Sequence, residues 1–140
     1  MSRNVEALFS AAHAAYDNAY APYSKFSVGA AVRTAEGEIF AGCNVENAAY
    51  PQGWCAETSA LGAMASAGRR RVVEVCVVGG GPGLCTPCGG CRQKLREFCA
   101  PETPIHIAGP EGVRASFTLA QLLPESFGPE NLSPTMSCSA

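Results

Sequence analysis

The run Val72 to Val78, Val-Val-Glu-Val-Cys-Val-Val, is nearly continuous in apolar side chains and has the length of one strand. A strand of that kind must be covered on both faces, so it predicts the centre of a sheet with helices on its two sides. The flanking segments supply them. Val5, Leu8, Phe9, Ala12 and Tyr16 recur at the spacing of an amphipathic helix, expected from Val5 to Tyr20 and stopped by Ala21-Pro22. Cys55 to Ala67, rich in Ala, Leu and Met and closed by Gly68, predicts a buried second helix. Cys88 to Cys99, with Pro87 just before it, predicts a third. Phe26 to Arg33 and Glu38 to Asn44 flank the short Ala35-Glu36-Gly37 connection as an antiparallel hairpin, and Thr103 to Ile107 and Val113 to Thr118 read as two further strands. Asn44 to Trp54 and Gly79 to Pro87 are loops, and Leu119 to Leu123 a short helix. Interleaving of this kind predicts the α/β class, with one mixed sheet and helices on its faces.

A chain of 140 residues has room for one core, so residues 1–140 are expected to form a single domain, with a loosely held tail from Gly128 onward, rich in Pro and Ser. Lys+Arg 10 against Asp+Glu 12 gives a net charge of -2, which is no electrostatic footprint for a nucleic-acid polymer. The triplet Arg69, Arg70, Arg71 reads as a solvated helix end and loop. No apolar run approaches the roughly 20 residues that a membrane span needs, and the start MSRNVEALFS lacks the apolar core of a signal peptide. The expectation is a cytoplasmic protein with no membrane partner. In a reducing compartment its eight cysteines read as metal ligands, nucleophiles or buried small hydrophobes rather than disulfides.

The chemistry concentrates in Cys55-Ala56-Glu57 and Pro87-Cys88-Gly89-Gly90-Cys91. Cys88 and Cys91 stand three residues apart on one helical face, which suits two ligands of a tetrahedral ion, and Cys55 is the natural third. All three fall at predicted helix N-termini, whose partial positive charge favours the thiolate that binds zinc. Three protein ligands leave a fourth position for water, the pattern of a catalytic Zn2+, and Glu57 is placed to take a proton from that water and return it to a substrate. Spacing alone also allows a closed site with Cys85 as a fourth ligand, which would make the chain a non-enzymatic zinc-binding module. An iron-sulfur reading of Cys85, Cys88 and Cys91 needs its next cysteine about three residues on, and Cys99 spoils it. Cys43, Cys76, Cys99 and Cys138 read as buried or tail residues, and His13 and His106 as structural ones.

Five blocks in order make the sequence resemble the small homotetrameric cytidine deaminases from about Ala19 to Phe127. They are Ala21-Pro22-Tyr23-Ser24-Lys25-Phe26 with Val28-Gly29-Ala30-Ala31, Asn44-Val45-Glu46-Asn47-Ala48, Cys55-Ala56-Glu57, Pro87-Cys88-Gly89-Gly90-Cys91-Arg92-Gln93, and Leu122-Leu123-Pro124-Glu125-Ser126-Phe127. The resemblance implies a three-layer α/β/α fold and hydrolytic deamination of cytidine and 2′-deoxycytidine, in pyrimidine salvage. It implies a zinc cofactor on Cys55, Cys88 and Cys91, and Glu57 as the proton carrier. Asn44 and Glu46 would then meet the ribose hydroxyls, Phe26 would wall the nucleoside pocket, and the backbone of Ala56 would touch the base edge. The implied homotetramer would share its active sites, with Phe127 stacking on the base in a neighbouring subunit and Tyr50 near the boundary. A zinc deaminase of another amino-heterocycle, such as a nucleoside antibiotic, remains an alternative. Relatives commonly carry an arginine directly after the glutamate, where this chain has Thr58. Arg92, with the helix N-termini, is then expected to offset the thiolate charge.

Overall fold

The computed structural model describes residues 3–132. Its sheet runs β2-β1-β3-β4-β5, built from β1 (Val28–Thr34), β2 (Ile39–Cys43), β3 (Val72–Gly79), β4 (Pro104–Gly109) and β5 (Gly112–Thr118). The apolar run is β3, third of five. It pairs antiparallel with β1 and parallel with β4, and both hairpins are antiparallel, so the sheet is mixed. A parallel neighbour requires a crossover, and α3 (Gly89–Phe98) provides it.

Side chains alternate across the strands and feed two cores. On one face α1 (Arg3–Asp17) lays Leu8 and Ala12 on Ala31, Cys76, Val78 and Ala108. On the other, α2 (Ala56–Ser66), α3 and the short α4 (Leu119–Leu122) bring Ala60, Met64, Leu95 and Leu119 against Ala30, Val32, Val75, Val77, Ile105 and Ile107. Residues 75 to 78 of β3 thus serve both cores by turns, which is why the run is apolar at every one of them. Three layers, α/β/α, result.

Two glycines let the helices approach the hairpin closely. A Cβ on Gly29 would stand 2.8 Å from the Cα of Tyr16 on α1, and one on Gly42 would stand 2.6 Å from the backbone nitrogen of Ala60 on α2. The Ser59 hydroxyl donates to the Cys43 carbonyl at 2.8 Å and pins the start of α2 to the same strand. At its far end α2 closes as expected. Gly68, at φ 88, donates to the Ala65 carbonyl while Arg69 donates to that of Met64, the two reverse bonds of a Schellman motif.

Most element ends shift by a residue or two from expectation, and at α1 and β1 the shift arises because a loop claims the backbone. α1 stops at Asp17, short of Tyr20, whose N–H goes to the Asn44 carbonyl and whose carbonyl accepts from Glu46. β1 begins at Val28, because the Phe26 N–H is taken by the Ser24 hydroxyl and its carbonyl by the Asn44 amide. The tail expected to be loose from Gly128 is held through residue 132. Pro129–Asn131 forms a 3-10 turn, Gly128 donates to Asn131 Oδ1 at 2.8 Å, and Arg96 Nη2 meets Glu130 Oε1 at 2.5 Å. Cys138 and the rest of 133–140 lie outside the described residues. Among those described, no helix is long and apolar enough to cross a membrane.

Gly42→Ala forces a methyl into the α2 backbone rather than into a yielding side chain. It should cost about 1–3 kcal/mol of stability, at the upper end of that range, as overpacking does. Urea denaturation measures it, and an unchanged midpoint would mean that α2 does not rest on β2 at this point.

Candidate active site

Cys55 is the N-cap of α2 and Cys88 the N-cap of α3, and neither side chain caps its own helix. Both cysteines have the extended backbone usual at an N-cap, ψ 162 and ψ 168, and their sulfurs meet each other rather than first-turn N–H groups. Cys91 follows on α3, one turn in and buried. The three sulfurs lie within 4.8 Å of one another, the one such grouping of His, Cys, Asp or Glu ligand atoms among the described residues. Cys55 Sγ and Cys88 Sγ are 3.8 Å apart. Sulfurs at the corners of a tetrahedron with zinc bonds of about 2.3 Å would also stand about 3.8 Å apart. The donor set therefore fits zinc in chemistry and in spacing.

Without a cation Cys55 and Cys91 shift each other in opposite directions. The Cys55 thiol is drawn below its ordinary value, chiefly because Cys91 donates to it. Cys91 is pushed up by that same bond, by burial and by the charge of Glu57. A bound dication removes the conflict by holding all three as thiolates.

Glu57 is 4% exposed and lines a cleft of about 170 Å³ with Val28, Asn44, Cys55, Ala56, Cys85, Thr86 and Cys88. Burial pushes its carboxyl above the usual carboxylate range, opposed by its own backbone N–H, by Cys91 and by the Lys94 ammonium. Cys85 shares the cleft, but its sulfur packs against Gly79, where an added Cβ would meet it at 2.8 Å, and it stands outside the three-sulfur group. Burial and the Glu57 charge push its thiol up. The closed four-cysteine site is thus not the one the fold assembles. Cys76 and Cys99 are buried, as expected, and burial pushes their thiols up to about 12.

Asn44 and Glu46 hold the loop that forms the cleft's edge. Asn44 Oδ1 accepts from the Val28 N–H at 3.0 Å, and its amide donates to the Phe26 carbonyl at 2.9 Å. Glu46 accepts from the N–H groups of Tyr23 and Ser24 at 2.9 and 3.0 Å, and from the Ser24 hydroxyl. These bonds, chiefly the one from that hydroxyl, hold its carboxyl below the ordinary range. Glu46 lies outside the cleft lining. It faces a separate hollow of about 360 Å³ with Tyr23, Asn47 and Tyr50, whose rings meet edge to face at 6.1 Å in the Tyr23–Tyr50 pair. Phe26, 40% exposed, packs its ring beside Gly81. Phe127 is not over the cleft of its own chain. It lies on the outer side of α3, its carbonyl accepting from Gln93 Nε2 at 3.0 Å, with Arg96, Glu97 and Leu132 around it.

Arg92, expected to offset the thiolate charge, is engaged elsewhere through its hydrogen bonds. Its guanidinium donates to the carbonyls of Pro87 at 2.6 Å and Leu122 at 2.7 Å and to Thr86 Oγ1 at 3.0 Å, so it clamps the segment that carries Cys88 and bonds no sulfur. The cation that does reach the thiolate neighbourhood is Lys94, through Thr58, and the sequence reading missed it. Its signal was present: Lys94 stands three residues after Cys91, as Cys91 does after Cys88.

The family model for the cytidine and deoxycytidylate deaminase zinc-binding region matches residues 2–107. A cytidine deaminase of Sporosarcina psychrophila is 42% identical over 130 residues, 93% of this chain and 96% of that one. A crystal structure of cytidine deaminase from Burkholderia pseudomallei superposes with a TM-score of 0.82 at 42% identity, covering 91% of this chain and 100% of that one. The Mycobacterium tuberculosis enzyme aligns with a TM-score of 0.75 at 39% identity, over 88% and 96% of the two chains. With the fold, the three-cysteine cluster and these likenesses in agreement, the chain belongs to the cytidine and deoxycytidylate deaminase family.

Proposed function

We propose that this chain hydrolyses the exocyclic C–N bond of cytidine and 2′-deoxycytidine, giving uridine or 2′-deoxyuridine and ammonia, and so serves pyrimidine salvage. The observation that carries the reading is a buried carboxylate, Glu57, in one cleft with Cys55 and Cys88, two of the three clustered thiols at two helix N-termini. Cys55, Cys88 and Cys91 would hold Zn2+, which when bound supplies a water acidic enough to be deprotonated near neutral pH. Glu57 would take that proton and hand it to ring N3 as oxygen adds at C4, then take the proton of the new C4 hydroxyl and deliver it to the amine, so that C4=O forms as the C–N bond breaks and ammonia leaves. Its raised pKa suits a group that must be base and acid in turn. The Ala56 N–H, in the unpaired first turn of α2, is available to the base edge. Asn44 has spent one of its two amide hydrogens on Phe26, leaving the other for a ribose hydroxyl in the cleft. Glu46 acts on the sugar through the loop it fixes and through whatever lone pairs its three bonds leave open.

Purified protein should deaminate cytidine in an ultraviolet assay, lose activity to a chelator and regain it with zinc. Glu57→Gln should keep the metal yet lose about 10²–10⁴ in turnover, because an amide cannot take the proton. Turnover of a different amino-heterocycle in preference to cytidine would redirect the substrate assignment, and near-parent activity of Glu57→Gln would end the proton-shuttle role.

The same reading includes a homotetramer with shared sites. Tyr20, Tyr23, Tyr50, Trp54 and Phe127 are each about half exposed or more, an apolar excess that association would bury. Phe127, remote from its own cleft, would stack on the base held by a neighbour. Glu57→Gln chains and Phe127→Ala chains, each nearly inactive alone, should recover activity when unfolded and refolded together. Confirmed hybrids without recovery, or a monomer at working concentration, would reject the shared site.

A further inference from the structure

We propose that Lys94, acting through the Thr58 hydroxyl, is the positioning residue that offsets the negative charge of the three-thiolate centre. The inference rests on the reading of Cys55, Cys88 and Cys91 as zinc ligands. Three thiolates outweigh one dication, so the loaded centre is a net anion and needs positive charge beside it. The hydrogen bonds of Arg92 end on two carbonyls and a hydroxyl. Lys94 Nζ instead donates to Thr58 Oγ1 at 2.9 Å, and Thr58 Oγ1 lies 3.7 Å from Cys91 Sγ.

The direction of this relay follows from what each group can do. An ammonium only donates, so Thr58 must accept from it, and the single hydroxyl hydrogen is then left for the sulfur. A hydroxyl whose lone pair is held by a cation is a better donor, and the sulfur receives a share of the lysine charge without the lysine touching it. The relay also crosses between the ligand-bearing helices. Thr58 is three residues past Cys55 on α2, and Lys94 is three past Cys91 on α3. An exposed lysine on a helix would otherwise extend freely into water, and this one is turned onto the hydroxyl beside the cluster.

The sign of the effect on metal binding is determined. Loading the site turns three neutral thiols into a net anionic centre, so a nearby cation stabilises the loaded form over the empty one. Lys94 should therefore raise zinc affinity.

Competition with a chromophoric chelator near neutral pH measures that affinity, and thermal unfolding of the metal-free proteins controls for the fold. Lys94→Met and Lys94→Gln should each weaken zinc binding about tenfold, the low end of what loss of a partner to a metal ligand costs, without changing metal-free unfolding. Lys94→Arg should bind close to the parent value, since it keeps the charge. Thr58→Val should weaken binding comparably, and adding Lys94→Met to it should cost little more, because one path is being cut twice. Parent-like affinity in Lys94→Met and Lys94→Gln, Lys94→Arg as weak as Lys94→Met, or additive losses in the double variant would each overturn the relay. A parent protein that binds no zinc would instead overturn the underlying assignment of the site.

Discussion

The first turns of α2 and α3 each present backbone N–H groups that no intrahelical carbonyl can reach, and the fold brings both turns to one point, with Cys55 Sγ and Cys88 Sγ 3.8 Å apart. Two positive helix ends so placed repel one another unless negative charge lies between them. Thiolates at both N-caps would supply it, and a dication among the thiolates would keep them from repelling each other in turn. The site is a stack of alternating charge in which every layer needs the one beneath.

That arrangement costs packing elsewhere, and the sheet absorbs the cost. The start of α2 is set by its direct rest on β2 at Gly42 and by Ser59 on the Cys43 carbonyl. The start of α3 is set by Leu95 in the core behind it and by Arg92, which ties Thr86, Pro87 and the end of α4 to one guanidinium. Both ligand-bearing N-caps therefore sit on rigid elements whose opposite faces are buried. Loops carry only the substrate side, and there Glu46 and Asn44 do the holding, including a turn with Lys25 at φ 61. For a site that must keep sulfurs in register and still admit a nucleoside, this division is physically sensible.

Most of this was legible in the sequence because it is written in local signals. The alternating demands on β3 make it apolar throughout, glycine marks the end of α2, and the cysteines announce themselves by spacing and by their place before helical patterns. What was not legible depends on where long side chains end. Arg92 and Lys94 are two residues apart on one helix and carry the same charge, yet one reaches back to Pro87 and Leu122 while the other crosses to Thr58. Only the packing of α4 and α2 against α3 decides between those targets. The span of α1 was overread for a similar reason, since the carbonyl that captures Tyr20 belongs to Asn44, far along the chain. Whether Cys85 joins the metal also depends on a distant contact, its seat against Gly79.

The cleft itself carries the argument one step further. Small-molecule sites usually enclose about 300–1,000 Å³, whereas the hollow beside Glu57 holds about 170 Å³ and leaves Cys88 exposed. One chain thus lines a shallow cleft around Glu57 and two of the clustered cysteines, with Asn44 at its edge, and leaves it short of wall. The half-exposed aromatic residues lie on the surrounding surface, and Phe127 stands on the outside of α3 beside Gln93, Arg96 and Leu132, not among the residues that line the cleft. In the proposed tetramer such a residue would serve the cleft of another copy rather than its own. Incomplete enclosure and displaced aromatic surface would then have one cause, and the proposed association would resolve both by closing each cleft with a neighbour's side chain.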